Sequence, residues 1–210
     1  MDKVASEKQQ SMTKSPDIRS VLAYHITRPV VQLLARTSIT PTAVTWSGFL
    51  AAIGAASLVI TGHLFAAGFV VLITGFFDIL DGALARYTAR TTRFGAVIDS
   101  VLDRLSEAVV LLGILVLYAG EQYFAGILIV GVALIGSLLV SYIRARAEAM
   151  GLECQVGLFT RAERVIVLAL GLLLSQIDYA LVTALAIIAV FSFVTVVQRV
   201  VHVGQQAREK

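Results

Sequence analysis

Residues 69–103 read FVVLITGFFDILDGALARYTARTTRFGAVIDSVLD. An apolar run carries Asp78 and Asp81 near its end and closes on Arg86; a short polar link holding Arg90 and Arg93 follows; a second apolar run opens with Asp99 and Asp103. Spacings of three and four place each aspartate pair on one face of a helix. Acids inside apolar helices are costly, at least about 2.5–3.5 kcal/mol each at a bilayer centre, so four of them imply a function or a set of counter-charges.

The rest of the chain fixes the solvent. Of its 210 residues 58% are hydrophobic and only 15% are charged, with a mean hydropathy of +0.85. A water-facing surface does not tolerate that composition, so lipid is the expected solvent. A crossing helix needs about 20 apolar residues. On that ruler the sequence predicts an all-α integral membrane protein with six spans, at 43–62, 66–86, 95–118, 123–145, 163–177 and 179–201, the fifth being the shortest. The first twenty residues, MDKVASEKQQSMTKSPDIRS, are polar and hold no apolar core of a cleavable signal. The expected organisation is a polar cytoplasmic tail over 1–16, an interfacial amphipathic helix over 17–40, a six-helix transmembrane catalytic domain over 41–204 and a short cytoplasmic tail over 205–210. The interfacial assignment rests on Arg19, Arg28 and Arg36 interleaved with apolar residues and on Pro29, which a straight spanning helix disfavours. A soluble linker helix is the alternative. Thr40, Pro41 and Thr42 suit the start of the first span.

Cations give an independent topology. Lys3, Lys8, Lys14, Arg19, Arg28 and Arg36 precede the first span, Arg86, Arg90, Arg93 and Arg104 cluster around the second loop, Arg144, Arg146, Arg161 and Arg164 around the fourth, and Arg199, Arg208 and Lys210 close the chain. The turns near Gly62, Gly120 and Ile177 hold none. Positive charge stays on the cytoplasmic side, which places both termini and the acidic cluster there. Cys154 is the single cysteine, so it has no partner for an intramolecular disulfide and is expected buried and inert. The three histidines are scattered without a ligand spacing.

Antiparallel neighbours could bring the two acidic faces together, and four converging carboxylates repel one another. Divalent cations relieve that best, and hard oxygen donors favour Mg²⁺ or Mn²⁺. Gly82 and Gly95 lie one turn from Asp78 and Asp99, removing side chains where a ligand or a facing backbone approaches. Structural ion pairs with Arg86, Arg90, Arg93 and Arg104 are one alternative. A cation channel or proton relay is another, weakened because the acids gather at one membrane face with no polar path across the other half.

Together Asp78, Asp81-Gly82, Ala85-Arg86, Gly95, Asp99 and Asp103 spell D-x2-D-G-x2-A-R-x8-G-x3-D-x3-D. This resembles the signature of the CDP-alcohol phosphotransferase (CDP-alcohol phosphatidyltransferase) family, whose layout of six spans after an interfacial helix also matches. The resemblance implies a two-metal site in which Asp78, Asp81 and Asp99 hold one ion and Asp78, Asp99 and Asp103 surround the second, with Asp103 as the base. It also implies that Gly82, Ala85 and Arg86, joined by Pro41, Thr45 and Thr92, bind the CDP-lipid, and that the protein is a homodimer. Pro41 and Thr45 sit in a TP-x3-T segment similar to the family's.

The acceptor is read from the second basic region: SYIRARAEAMGL at 141–152, RAER at 161–164 and VVQRV at 196–200. Several arginines in one pocket favour a phosphorylated acceptor, and inositol phosphate and glycerol phosphate both qualify. Positive-inside topology alone would also place arginines here. These strings are similar to the prokaryotic phosphatidylinositol-phosphate synthase branch of that family, which implies that Ser141, Arg144, Arg146, Arg161, Arg164 and Arg199 bind the phosphate of inositol 1-phosphate. The expected reaction is transfer of a phosphatidyl group from CDP-diacylglycerol to inositol 1-phosphate with release of CMP. Phosphatidylglycerophosphate synthesis from glycerol 3-phosphate is the enzyme alternative, and a divalent-cation membrane transport protein is the non-enzyme one.

Overall fold

Thr40 and Pro41 start the first long helix as their chemistry predicts. The Thr40 side chain accepts a hydrogen bond from the Ala43 amide at 3.2 Å, and Pro41 takes the first helical position, where its missing N–H costs nothing. The computed structural model describes residues 29–37, 39–88 and 92–209. It places six long helices in chain order: α1 Pro41–Ile60, α2 Leu64–Tyr87, α3 Arg93–Gly120, α4 Phe124–Ala149, α5 Arg161–Leu173 and α6 Ala180–Glu209. No strand occurs among the described residues.

Three of the connections are the same device. After α1 the His63 amide donates to Leu58 O at 2.8 Å and the Gly62 amide to Val59 O at 2.9 Å, with Gly62 left-handed at φ 81°. That is the Schellman closure of a helix, and glycine fits its left-handed position. Gly151 repeats it after α4, with Leu152 donating to Ala147 O. After α3 the left-handed residue is Gln122, one position past the cap, while Gly120 is the last residue of the helix.

The helices pack partly on sequence neighbours and partly across the bundle: α1 lies on α2 and α3, α2 on α5, α3 on α4, and α4 and α5 on α6. Small residues set the close approaches. A Cβ on Gly113 would sit 3.1 Å from the Ala56 Cα, and one on Gly68 would sit 2.9 Å from the Leu173 backbone nitrogen. Membrane helices pack this way because van der Waals contact, rather than expulsion of water, holds them together. Gly68 and Gly113 thus serve contacts inside the chain.

Val59, Leu111, Ile114, Val130, Leu172 and Leu185 are fully buried at the centre. Large apolar residues also face outward, among them Leu50 (63% exposed), Phe124 (75%) and Leu128 (70%). An apolar exterior over an apolar interior fits lipid as the solvent. Four helices, α1, α2, α4 and α6, are long and apolar enough to cross a membrane. Helix α3 is longer than three of them but carries Asp99, Asp103, Arg104 and Glu107 within its first fifteen residues. Helix α5 has 13 residues, about 20 Å at 1.5 Å per residue, short of a 30 Å hydrocarbon core. It stops at Leu173, four residues before the span read from hydropathy, because Ser175 and Ile177 turn back onto the carbonyls of Leu172 and Leu174. Helix α6 instead runs two turns past the predicted end at 201, since a helix continues into polar sequence after the apolar stretch is over.

The expected tail over 1–16 lies outside the described residues, as does most of the interfacial helix over 17–40. Within its described part, residues 29–35 are helical. Val31 is buried there against Val44, Leu80 and Leu84, which ties this segment to the start of α1 and the end of α2. Cys154 is buried and free, packed with Ala147 and Leu152.

Candidate active site

Alternation of the helices brings the beginnings of α1, α3 and α5 and the later halves of α2, α4 and α6 to one end of the bundle, and the sequence-predicted site residues all lie there. A cavity of about 200 Å³ is walled by Pro41, Thr42 and Thr45 of α1, by Asp81, Gly82, Ala85 and Arg86 of α2, and by Thr92, Gly95, Ala96 and Asp99 at the head of α3. All six residues expected around the CDP-lipid meet in it. Thr92 caps α3 by accepting from the Gly95 amide at 2.9 Å. A Cβ on residue 95 would lie 2.8 Å from that same hydroxyl, so the cap requires glycine one turn on. At Gly82 an added Cβ would meet only the Arg86 guanidinium, at 3.5 Å, and the open side is the cavity.

The four aspartates are not equivalent. Asp81 is 4% exposed, and its Oδ2 is buried with no hydrogen-bond partner. Asp78 and Asp103 are bridged by one guanidinium: Arg161 Nη2 stands 2.7 Å from Asp78 Oδ2, and Nη1 stands 2.9 Å from Asp103 Oδ1. Asp99 lies within electrostatic range of the other three. Among the described residues no three His, Cys, Asp or Glu side chains, as they are placed here, form a group ready to hold an ion. The centre of the acidic cluster is instead shared with Arg161.

A second, larger cavity of about 680 Å³ adjoins the first. Its walls include Ala96, Ser100, Asp103 and Arg104 of α3, Ser141 and Arg144 of α4, Thr160, Arg161 and Arg164 at the head of α5, and Arg199 of α6. Ala96 lines both cavities. Five of the six residues expected at the acceptor phosphate therefore converge. Arg146 does not: it is exposed on the last turn of α4 and lines neither cavity. Two residues from Arg144 is about 200° around a helix, so the two cannot share a face.

The converging arginines differ in what they already hold. Arg144 pairs with Glu148 one turn on, at 2.8 Å, with both side chains about half exposed. Arg199 is 3% exposed and donates to two backbone carbonyls, Val156 O at 2.9 Å and Val140 O. It ties α6 to the later half of α4 and to the segment leading into α5. Arg164 is 1% exposed and grips Glu107 with both arms of its fork, Nε to Oε1 at 2.6 Å and Nη2 to Oε2 at 2.8 Å. Helix α5 starts on a capping box in which the Thr160 amide donates to Glu163 Oε2 at 2.8 Å, which makes Arg161 the first helical residue.

Glu107 is the residue that sequence reasoning missed. It stands one turn after Asp103 in an otherwise apolar stretch, so the same spacing that grouped Asp99 with Asp103 pointed to it. Asp103 and Glu107 form one face of α3, Arg161 and Arg164 one face of α5, and the two faces pair rung for rung.

Residues 38–201 match the model of the CDP-alcohol phosphatidyltransferase family. The chain is 36% identical over 200 residues to the archaetidylinositol phosphate synthase of Methanothermobacter thermautotrophicus, covering 92% of this chain and 100% of that one. It is 42% identical over 180 residues to the phosphatidylinositol phosphate synthase of Mycobacteroides abscessus, covering 83% and 81%. A crystal structure of the phosphatidylinositol phosphate synthase of Mycobacterium tuberculosis with CDP-DAG bound superposes with a TM-score of 0.79 at 38% identity, over 85% of this chain and 94% of that one. The same enzyme in complex with manganese and citrate gives a TM-score of 0.77 at 37% identity, over 84% and 88%. The signature from Asp78 to Asp103, the cavity it walls and these likenesses agree: the chain is an all-helical membrane transferase that belongs to the CDP-alcohol phosphatidyltransferase family.

Proposed function

We propose that this chain transfers a phosphatidyl group from CDP-diacylglycerol to inositol 1-phosphate, giving phosphatidylinositol phosphate and CMP. The observation that carries the reading is the pair of adjoining cavities. One is walled by the signature residues and the other by Ser141, Arg144, Arg161 and Arg199, and Asp99 and Asp103 stand where they meet, one turn apart on α3. A donor and a phosphorylated acceptor seated in them would face each other across those carboxylates. The names of the relatives support the same chemistry.

The residues fit divalent cations. A buried carboxylate oxygen without a partner on Asp81, and two further carboxylates gathered on a positive charge, are what hard cations satisfy. We assign Asp78, Asp81, Asp99 and Asp103 to two ions, Mg²⁺ or Mn²⁺, which when bound screen the diphosphate and stabilise charge as CMP leaves. Pro41, Thr45, Gly82, Ala85, Arg86 and Thr92 hold the CDP portion, with Gly82 giving the diphosphate backbone-close access. Asp103 accepts the proton of the attacking inositol hydroxyl; the oxygen bonds to the lipid-side phosphorus as the bond from that phosphorus to CMP breaks. Arg144 is the best placed of the arginines to take the acceptor phosphate, because its half-exposed pair with Glu148 is weak. Arg164 and Arg199 act by holding the cavity wall.

The clustered cations support a cytoplasmic position for this end of the bundle and for both termini. On this reading α3 and α5 complete six spans, the short α5 being extended by the turns over 174–179; the segment over 17–40 lies at the membrane surface, and the protein works as a homodimer.

The test is CMP release by the purified protein with Mg²⁺, comparing inositol 1-phosphate, free inositol, glycerol 3-phosphate and serine, each with CDP-diacylglycerol and with a CDP-archaeol donor. Release confined to inositol 1-phosphate is expected. Preference for glycerol 3-phosphate would move the acceptor assignment. No release with any acceptor from folded protein would overturn the reading.

A further inference from the structure

The rung-for-rung pairing of α3 with α5 joins two unlike contacts. Arg164 and Glu107 are almost wholly buried and doubly bonded, a fixed rung. Arg161 is one turn earlier, 23% exposed, and its Nε is buried with no hydrogen-bond partner while its two terminal nitrogens hold Asp78 and Asp103. The same side chain lines the cavity of Ser141 and Arg144. One guanidinium therefore stands between two ligand sets of opposite sign: carboxylates on one side, and on the other a basic pocket shaped for an anion.

We propose that Arg161 is an exchangeable counter-ion, which releases Asp78 and Asp103 when a divalent cation takes those carboxylates and then turns its fork to a phosphomonoester in the adjoining cavity. This rests on the assignment of the aspartates to divalent cations above. The physical logic is competition for the same atoms. Asp78 Oδ2 and Asp103 Oδ1 both face the Arg161 guanidinium, Asp103 Oδ1 by charge alone with no hydrogen bond, and a divalent ion drawn to those oxygens repels the cation that stands between them. Because α5 is pinned by Arg164 and by its capping box, only the Arg161 side chain has to move. A guanidinium binds phosphate oxygens by the same two-point fork that it uses on carboxylates. Cation and phosphomonoester should then reinforce each other's binding, and the coupling must be reciprocal.

The experiment is Mn²⁺ binding to the full-length protein in detergent, followed by electron paramagnetic resonance without any CDP-lipid, with and without saturating inositol 1-phosphate, and with free inositol as control. In the wild type the phosphomonoester is expected to tighten Mn²⁺ binding by about fivefold or more, the lower end of ordinary coupling between sites; free inositol should not. Arg161→Gln should bind Mn²⁺ more tightly than the wild type with no phosphomonoester present, and adding the phosphomonoester should change it no further. Coupling that persists in Arg161→Gln would mean that the phosphate meets the ion directly and would overturn the exchange, as would a wild type whose Mn²⁺ affinity ignores the phosphomonoester. If Arg161→Gln does not fold by its thermal melt, Arg161→Lys replaces it; lysine keeps the charge but lacks the spaced two-armed fork, so it should hold the two carboxylates less firmly, bind Mn²⁺ more tightly than the wild type and couple less. Loss of Mn²⁺ binding in Asp81→Asn keeps the metal assignment standing whatever Arg161 does. Absence of Mn²⁺ binding in the wild type removes both.

Discussion

At the scale of single residues, neighbours in sequence have opposite fates. Arg144 lines the basic cavity and Arg146 lies exposed on another face of α4. Arg144→Ala should raise the KM for inositol 1-phosphate about tenfold with kcat little changed, close to the roughly 1.5 kcal/mol of one charged hydrogen bond. Arg146→Ala should alter neither constant, and steady-state CMP release measures both. Asp103→Asn keeps size and shape but removes the proton acceptor. It should lower kcat by about 10²–10⁴-fold, the usual worth of a general base, with an unchanged Tm. A mutant keeping most of its activity would remove Asp103 from that role. The aspartates and Arg144 were legible in the sequence, because an acid in an apolar helix has few bland explanations and because spacing fixes a helix face. The burial of Arg164 and Arg199 was not, since a cation that pairs inside the protein and one that waits for phosphate look alike in one dimension.

At the scale of elements, the contact of α3 with α5 hangs on the Arg164–Glu107 pair. Glu107→Gln leaves a buried guanidinium without its counter-charge and should cost about 3–5 kcal/mol, read as a lowered unfolding midpoint. The double replacement Glu107→Leu with Arg164→Met should recover most of that loss, because the penalty lies in the unpaired charge rather than in the missing bond. The α2–α5 contact depends on the bare Cα of Gly68. A methyl group there would press on the Leu173 backbone, which cannot swing aside, so Gly68→Ala should destabilise by about 1–3 kcal/mol. Helix starts were readable to within two residues, since Thr40-Pro41 and the apolar onsets announce them. The ends of α4, α5 and α6 were not, because hydropathy reports where lipid stops and hydrogen bonding decides where a helix stops.

At the scale of the molecule, the alternation of helix directions predicts that one end of the bundle meets the cytoplasm. In a Cys154→Ser background, Gln205→Cys should react with a membrane-impermeant maleimide only after cells are opened, whereas Thr61→Cys and Tyr179→Cys should react in intact cells. Cys154 itself, fully buried, should label slowly in folded protein. Reaction of residue 205 in intact cells and of residue 61 only after opening would reverse the topology, and reaction of both from the same side would overturn the alternation.

Lipid as solvent, helix as the repeating element and carboxylates on paired faces were determined by the sequence alone, because each depends on composition or on a period of a few residues. Which arginine lies buried with Glu107, which holds carbonyls of two other segments and which bridges Asp78 to Asp103 were decided only by the tertiary structure. Those partners stand about 40 to 80 positions away along the chain, and a guanidinium is satisfied by whichever oxygen the packing of the helices brings within reach.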